Sequence, residues 1–188
     1  MEPWTRVILV IESNPLATRR LQLEEELRAL DLGLREGGGD KPWDLRLAPA
    51  LRPRDLGDNL RRWRPRILHF SGHGDPRGIL LRGEQEDIKV VGAEALAQTL
   101  SLFNHLEGVV LNACYTAGHA ARIAEALPFA IGMEGLMSEQ GAQLFAYVFY
   151  RAVANGVEIP RAFGEAVASL ALEGTGDQGA PRLSINRG

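Results

Sequence analysis

The sequence predicts a single α/β domain in which helices cover both faces of a mostly parallel, six-stranded sheet. Its candidate strands are short, unbroken apolar runs, the pattern of strands that are buried on both faces. These runs alternate along the chain with segments of helical period, as they do in β–α units. No linker, internal repeat or change in composition divides the 188 residues, so we expect one domain over residues 1–188.

The first β–α unit begins with RVILVIES (6–13), a run typical of a buried strand. A helix follows and ends at GGG (37–39), and its acidic segment EEELR (24–28) is interpreted as a solvated face. The apolar positions of this helix recur at helical spacing and are Leu23, Leu27, Leu30 and Leu34. WDLRLAPAL (43–51) then alternates with period two and predicts a strand, and RPRDLGDNLRRW (52–63) predicts a second helix.

The middle of the chain repeats the alternation. RILHFSG (66–72) predicts a strand, which Pro65 separates from the helix before it. GILLRGEQEDIKVVG (78–92) predicts a small β-hairpin, with the polar GEQED as its turn. AEALAQTLSLF (93–103) predicts a helix, and GVVLNACYT (108–116) predicts a strand and its exit.

The last third adds three helices and two strands. HAARIAEAL (119–127) predicts a helix, FAIGM (129–133) a strand, and RLSIN (182–186) a final edge strand. Two long amphipathic helices are expected between these strands. Their apolar stripes are formed by Leu144, Phe145, Val148, Phe149, Ala152 and Val153 in the first and by Ala162, Phe163, Ala166, Val167 and Leu170 in the second.

Composition excludes several classes of protein. The net charge of -3 and the pI near 5.8 provide no basic surface for phosphates, so we expect no direct contact with nucleic acid. The single cysteine, Cys114, excludes an internal disulfide and fits a reducing compartment. The apolar run at residues 7–11 is too short for a signal peptide or a membrane span. We therefore expect a soluble cytoplasmic protein that does not contact membranes.

A histidine and the cysteine follow neighbouring predicted strands. His73 lies between Gly72 and Gly74 after one strand, and Cys114 leaves the next. Ligands of parallel α/β sheets bind outside the carboxyl ends of the strands. A thiol at a helix N-terminus beside an imidazole is favoured as the thiolate, the nucleophilic form. This predicts Cys114 as a nucleophile and His73 as its acid and base, with the backbone N–H groups of Gly74 and Cys114 as an oxyanion hole.

The segments HFSGHG (69–74) and LNACYTAG (111–118) resemble the paired motifs of caspase-like (clan CD) cysteine proteases, specifically the bacterial CHAT protease domain. VILVIESNP, the RPRDL helix, the hairpin after the histidine, and AIGM before FAYVFYRAVANG are also similar to that family. The resemblance implies a caspase–haemoglobinase fold, a three-layer sandwich. It also implies hydrolysis of peptide bonds in protein or peptide substrates by a dyad of Cys114 and His73, with no metal or organic cofactor.

Related domains are commonly fused to sensor modules, or switched on by them, in bacterial defence. The resemblance therefore implies a regulated effector in bacterial (antiviral) defence or in signalling, with an activating sensor partner, ligand or fused domain. Caspases are often activated by cleavage between the cysteine strand and the next strand, but the segment there, HAARIAEALP (119–128), is nearly all predicted helix. We expect no excision at that point.

Substrate preference is the least determined feature. In the related metacaspases an acidic residue two positions before the cysteine helps to bind a basic P1 side chain, whereas this chain has Asn112 there. A basic preference would need a carboxylate from elsewhere. Glu12, at the end of the first strand, is the first candidate by position, and Glu134 and Glu139 are the second.

Other functions remain open. A catalytically silent, caspase-like scaffold that binds a protein partner would share the fold. His69 is interpreted as a hydrogen-bonded core residue, and His119 is kept as a rival base. A zinc site built from these two histidines with His73 and Cys114 is disfavoured, because no C-x-x-C or H-E-x-x-H motif accompanies them.

Overall fold

The computed structural model of the protein describes residues 6–14, 23–39, 42–84, 87–177 and 180–186. Its strands are β1 (Arg6–Ser13), β2 (Trp43–Pro49), β3 (Ile67–Gly72), β4 (Gly74–Asp75), β5 (Gly78–Arg82), β6 (Ile88–Val91), β7 (Gly108–Asn112), β8 (Phe129–Met133) and β9 (Pro181–Ile185). Its α-helices are α1 (Leu23–Glu36), α2 (Leu56–Trp63), α3 (Ala93–Leu100), α4 (Ala117–Ile123), α5 (Glu139–Ala154) and α6 (Ile159–Leu172). A single 3-10 turn, Pro53–Asp55, precedes α2.

Six strands form the central sheet in the order β2-β1-β3-β7-β8-β9. The first five are parallel, and β9 runs antiparallel to β8 at the edge, so the predicted six-stranded, mostly parallel sheet and its final edge strand are confirmed. The register sets Glu12 beside Ser71, and Ser71 beside Asn112. The carboxyl ends of β1, β3 and β7 therefore lie at one level.

Helices cover both faces, which confirms the expected three layers. On one face, Leu60 of α2, Leu100 of α3 and Ile123 of α4 belong to a core with alternate strand residues such as Leu9. On the other face, α1, α5 and α6 pack on the intervening strand residues, such as Ile8. No helix in the described ranges is both long and apolar enough to cross a membrane.

The predicted hairpin is β5 and β6, and it belongs to a separate three-stranded sheet of order β4-β5-β6. The short strand β4 begins at Gly74, directly after His73, and was not predicted. Two residues of the predicted turn, 85 and 86, lie outside the described residues. The Ser13 hydroxyl donates a 2.8 Å hydrogen bond to the Leu80 carbonyl, which ties the small sheet to the end of β1.

The interpretation of the EEELR segment as a solvated face was wrong at one position. Glu24 and Glu25 are exposed, but Glu26 is only 6% exposed. Glu26 lies three residues after Leu23 and four before Leu30, so it shares the helix face that packs on the sheet. The helical period therefore places the Glu26 carboxylate in the core.

Candidate active site

A pocket opens at the carboxyl ends of β3 and β7. Its cavity volume is about 70 Å³, well below that of pockets that enclose a whole drug-sized ligand. The β3 exit, the β7 exit, α1 and the start of α5 all contribute to its walls. The lining residues are Leu23, Glu26, Gly72, His73, Asn112, Ala113, Cys114, Met137, Ser138, Glu139, Ala142 and Gln143.

Cys114 sits in a sharply turned exit from β7 and is partly exposed. The next residue, Tyr115, has the left-handed φ of 60°, a conformation that is strained for a residue with a side chain. Thr116 holds this turn: its hydroxyl lies 2.7 Å from the Ala113 carbonyl and accepts a 3.1 Å hydrogen bond from the Met133 N–H. The backbone thus presents Cys114 at the pocket in a defined position.

The His73 loop presses against the Cys114 turn at Gly74. A Cβ built on Gly74 would lie 2.5 Å from the Cys114 carbonyl oxygen and 3.0 Å from Cγ2 of Thr116. Only glycine lets the two backbones approach this closely. The Leu80 N–H donates a 3.0 Å hydrogen bond to the His73 carbonyl, which holds the loop from its other side. His73 and Cys114 are therefore brought to one pocket by two fixed turns.

A buried polar network lies beneath the pocket, with Glu26 at its centre. Glu26 Oε1 lies 2.8 Å from His69 Nε2 and accepts a 2.6 Å hydrogen bond from Asn112 Nδ2. Oε2 accepts a 2.6 Å hydrogen bond from the Ser71 hydroxyl. These side chains come from α1, β3 and β7, and all are less than a tenth exposed. The network therefore cross-links the helix to both strands that deliver His73 and Cys114.

The network ends at Tyr150 of α5, whose hydroxyl lies 2.9 Å from His69 Nδ1. His69 is 1% exposed and hydrogen-bonded at both ring nitrogens, in agreement with its interpretation as a core histidine. Burial, with a smaller contribution from the charge of Glu26, raises the pKa of Tyr150 well above its ordinary value. Tyr150 therefore stays protonated at physiological pH.

The predicted substrate-binding residues separate into two groups. Asn112 and Glu139 line the pocket, whereas Glu12 and Glu134 do not. Glu134 is half-exposed and forms an ion pair with Arg182. Oε1 of Glu12 is buried and has no hydrogen-bond partner among the described residues, and burial, followed by the charge of Glu26, raises the pKa of Glu12.

Two carboxylates among the described residues line the pocket, and of these Glu26 was not predicted whereas Glu139 was. One signal was available, because Glu26 is in phase with the apolar stripe of α1. His119, the rival base, is 6% exposed in α4 and does not line the pocket. No group of three or more His, Cys, Asp or Glu side chains within the described ranges is arranged to hold a metal ion.

Comparison with known proteins identifies the family. Residues 12–178 match the CHAT domain family. A "Probable protease" of Gillisia limnaea is 23% identical over 155 residues, which are 80% of this chain and 27% of that protein. The chain therefore spans about a quarter of the length of that relative.

Similar solved structures include cysteine proteases. A secreted C11 cysteine protease of Bacteroides thetaiotaomicron, in complex with an irreversible peptide inhibitor, has a TM-score of 0.64 at 14% identity over 89% of this chain and 59% of its own. The Arg-specific cysteine proteinase gingipain R has a TM-score of 0.66 at 12% identity over 95% and 46%. Caspase-1 of Spodoptera frugiperda has a TM-score of 0.60 at 10% identity over 97% and 86%. The chain therefore belongs to the CHAT domain family and has the caspase-like fold of clan CD cysteine proteases.

Proposed function

We propose that this domain is a cysteine endopeptidase in which Cys114 is the nucleophile and His73 is the acid and base. The observation that carries the proposal is the meeting of both residues in one pocket, where Gly74 allows the two loops to touch. Membership of the CHAT family and the fold shared with cysteine proteases support it. The name "Probable protease" of the Gillisia relative agrees with it.

The proposed reaction has two steps. In the first, the Cys114 thiolate attacks the scissile carbonyl carbon, and a C–S bond forms while the C–N bond breaks. Protonated His73 gives its proton to the leaving amine. In the second, His73 takes a proton from water, the hydroxide attacks the thioester, and the C–S bond breaks to release the carboxylic acid and the thiolate.

The negative oxygen of each tetrahedral intermediate needs preorganised donors. We assign this role to the backbone N–H groups of Gly74 and Cys114, because the contact between the loops keeps these peptides together. Loss of one such donor typically raises the barrier by about 3 kcal/mol. The partial exposure of Cys114 leaves room for an extended peptide to reach it.

We further propose that an activating partner, ligand or fused domain controls the activity, without excision after the cysteine strand. The connection from β7 to β8 is mostly α4, and Ala120 and Ile123 of this helix are fully buried. A protease would have to unfold this helix in order to cut there. Self-cleavage of the purified protein between residues 117 and 129 would contradict the proposal. The role in antiviral defence stays a prediction from the family resemblance.

A thiol-labelling experiment separates the enzyme from a silent scaffold. Wild type and His73→Ala are treated with iodoacetamide near pH 7, and modification of Cys114 is followed by intact mass. We expect rapid labelling of wild type and slower labelling of the variant, because His73 would take up the proton of the thiol as Cys114 reacts. A peptide-library digest by wild type, with Cys114→Ala as the inactive control, tests hydrolysis directly. Equal, slow labelling of both proteins together with no digestion would contradict the proposed function.

A further inference from the structure

We infer that the pocket beside Cys114 receives a positively charged side chain, lysine or arginine, and that Glu26 selects it. The inference rests on the proposed function, because Cys114 would then attack the carbonyl of the residue that fills the pocket. That residue is P1, the one on the acyl side of the scissile bond. Glu26 lines the same pocket as His73 and Cys114, so its carboxylate lies in reach of this side chain.

The charges of the pocket are unbalanced. Its lining includes the carboxylates of Glu26 and Glu139 and, among the residues that the structure describes, no lysine or arginine. Glu26 is 6% exposed, so water screens its charge poorly. A buried carboxylate that faces an open pocket favours a cationic ligand over a neutral one, because the ligand replaces the lost hydration of the carboxylate.

The hydrogen bonds of Glu26 leave room for one more donor. An ionised carboxylate accepts about four hydrogen bonds, two at each oxygen. Among the described parts of the chain, Oε1 contacts His69 and Asn112, whereas Oε2 accepts a hydrogen bond from Ser71 alone. Oε2 therefore retains an acceptor position that a guanidinium or ammonium group of a substrate can use. Asn112 contributes by orienting Glu26, since its Nδ2 also lies 3.4 Å from the Ala142 carbonyl.

The surroundings of the network are acidic on balance. The charges of Glu26 and Glu24 both raise the pKa of Glu12, after the larger effect of burial, while His69 lowers it. Among the described residues, the carboxylates of Glu12, Glu24 and Glu26 thus act in the same region as the imidazole of His69. A cationic P1 side chain would supply the missing positive charge.

The experiment compares peptide acyloxymethyl ketones that differ only at P1, which is arginine, citrulline or norleucine. Citrulline has the shape of arginine without its charge. The rate at which each probe modifies Cys114 is measured by intact mass in wild type, in Glu26→Gln and in Glu25→Gln. Glu25 is the matched control, because it lies on the exposed face of the same helix in an ion pair with Arg28.

We expect wild type and Glu25→Gln to react at least about 30-fold faster with the arginine probe than with the citrulline probe. Glu26→Gln should lose most of this preference, so that its rates with the arginine and citrulline probes differ by less than about threefold, a ratio that does not depend on the overall rate of the variant. Equal rates with arginine and citrulline in wild type would overturn the inference while leaving the proposed function intact. A uniform loss of all three rates in Glu26→Gln would also overturn it, since Glu26 would then act only on the structure.

Binding of a small cation tests the charge preference of the pocket without a reaction at Cys114. Agmatine, the decarboxylated form of arginine, is titrated into Cys114→Ala and into Cys114→Ala/Glu26→Gln, and chemical shifts are followed by NMR. We expect binding to the first protein and at least tenfold weaker binding to the second. Absence of binding to Cys114→Ala would overturn the inference. If agmatine binds as expected but no probe modifies Cys114 in wild type, the charge preference stands and the proposed function fails.

Discussion

The contact between the two site loops predicts that Gly74→Ala damages both stability and activity. The new Cβ would lie 2.5 Å from the Cys114 carbonyl oxygen, 3.0 Å from Thr116 Cγ2 and 3.1 Å from Ala113 Cβ. Ordinary carbon contacts are about 3.5–4.0 Å, so the loops must separate by roughly 1 Å. The closest neighbour is backbone and has no rotamer into which it could move away.

Two magnitudes follow from this displacement. Inserting a methyl group into tightly packed surroundings typically costs about 1–3 kcal/mol, so the free energy of unfolding should fall by that amount. A displacement of about 1 Å in reacting groups can reduce a rate by about 100-fold, so acylation of Cys114 should slow by that factor. Urea unfolding followed by circular dichroism measures the first effect, and intact mass after treatment with a peptide acyloxymethyl ketone measures the second.

Gly118→Ala is the matched control. Gly118 lies in the first turn of α4, four residues after Cys114, and a Cβ there would meet nothing within 4 Å. Alanine is favoured over glycine in helices by up to about 1 kcal/mol, so this variant should be as stable as wild type or slightly more stable. If Gly74→Ala matched Gly118→Ala in both measurements, the close approach at Gly74 would not be required.

Two further predictions concern buried polar groups near the site. Glu12→Gln should raise the free energy of unfolding at pH 7 by less than about 1 kcal/mol, because Glu12 is only partly buried. The pKa of Glu12 in the folded state is raised above 4.5, so wild type loses stability as the pH rises from about 4.5 through that folded-state pKa. The stability advantage of the variant should therefore disappear below about pH 4.5. Urea unfolding at pH 7 and below about pH 4.5 checks this. Tyr150→Phe leaves Nδ1 of buried His69 without the tyrosine hydroxyl and should lower the free energy of unfolding by about 1–3 kcal/mol. An unchanged urea midpoint for Tyr150→Phe would show that water or another group replaces the hydroxyl.

The order of the strands and helices was predictable because hydrophobic periodicity is a local property of the chain. The run RVILVIES becomes β1, which is buried on both faces, and the period of α5 and α6 places their apolar stripes on the sheet. Strand β4 was missed, because a strand of two residues has too short a pattern to detect. It exists only through its pairing with β5.

His73 and Cys114 were predictable as partners for a topological reason. Parallel strands bring their carboxyl ends to one edge of the sheet, so residues that leave neighbouring strands meet there whatever lies between them. Gly74 was predicted as an oxyanion-hole donor from its position directly after His73. Its contact with Cys114 and Thr116 required the structure, since the packing of two loops is not encoded in either loop alone.

The identity of the pocket carboxylate depended on tertiary packing. Residue chemistry along the chain was enough to predict the strands and the meeting of His73 and Cys114 in one pocket, whereas a basic P1 preference stayed conditional on a carboxylate from outside the LNACYTAG segment. Three carboxylates, Glu12, Glu134 and Glu139, were proposed for that role because they follow strand ends, and Glu139 is the one of these three that lines the pocket. Glu26 lines the pocket because α1 packs across β3 and β7. This packing brings the Glu26 carboxylate within hydrogen-bond distance of His69, which is 43 positions away in the sequence, and of Asn112, which is 86 positions away. A contact over such separations is decided by the docking of a helix on a sheet, and no local pattern encodes that docking.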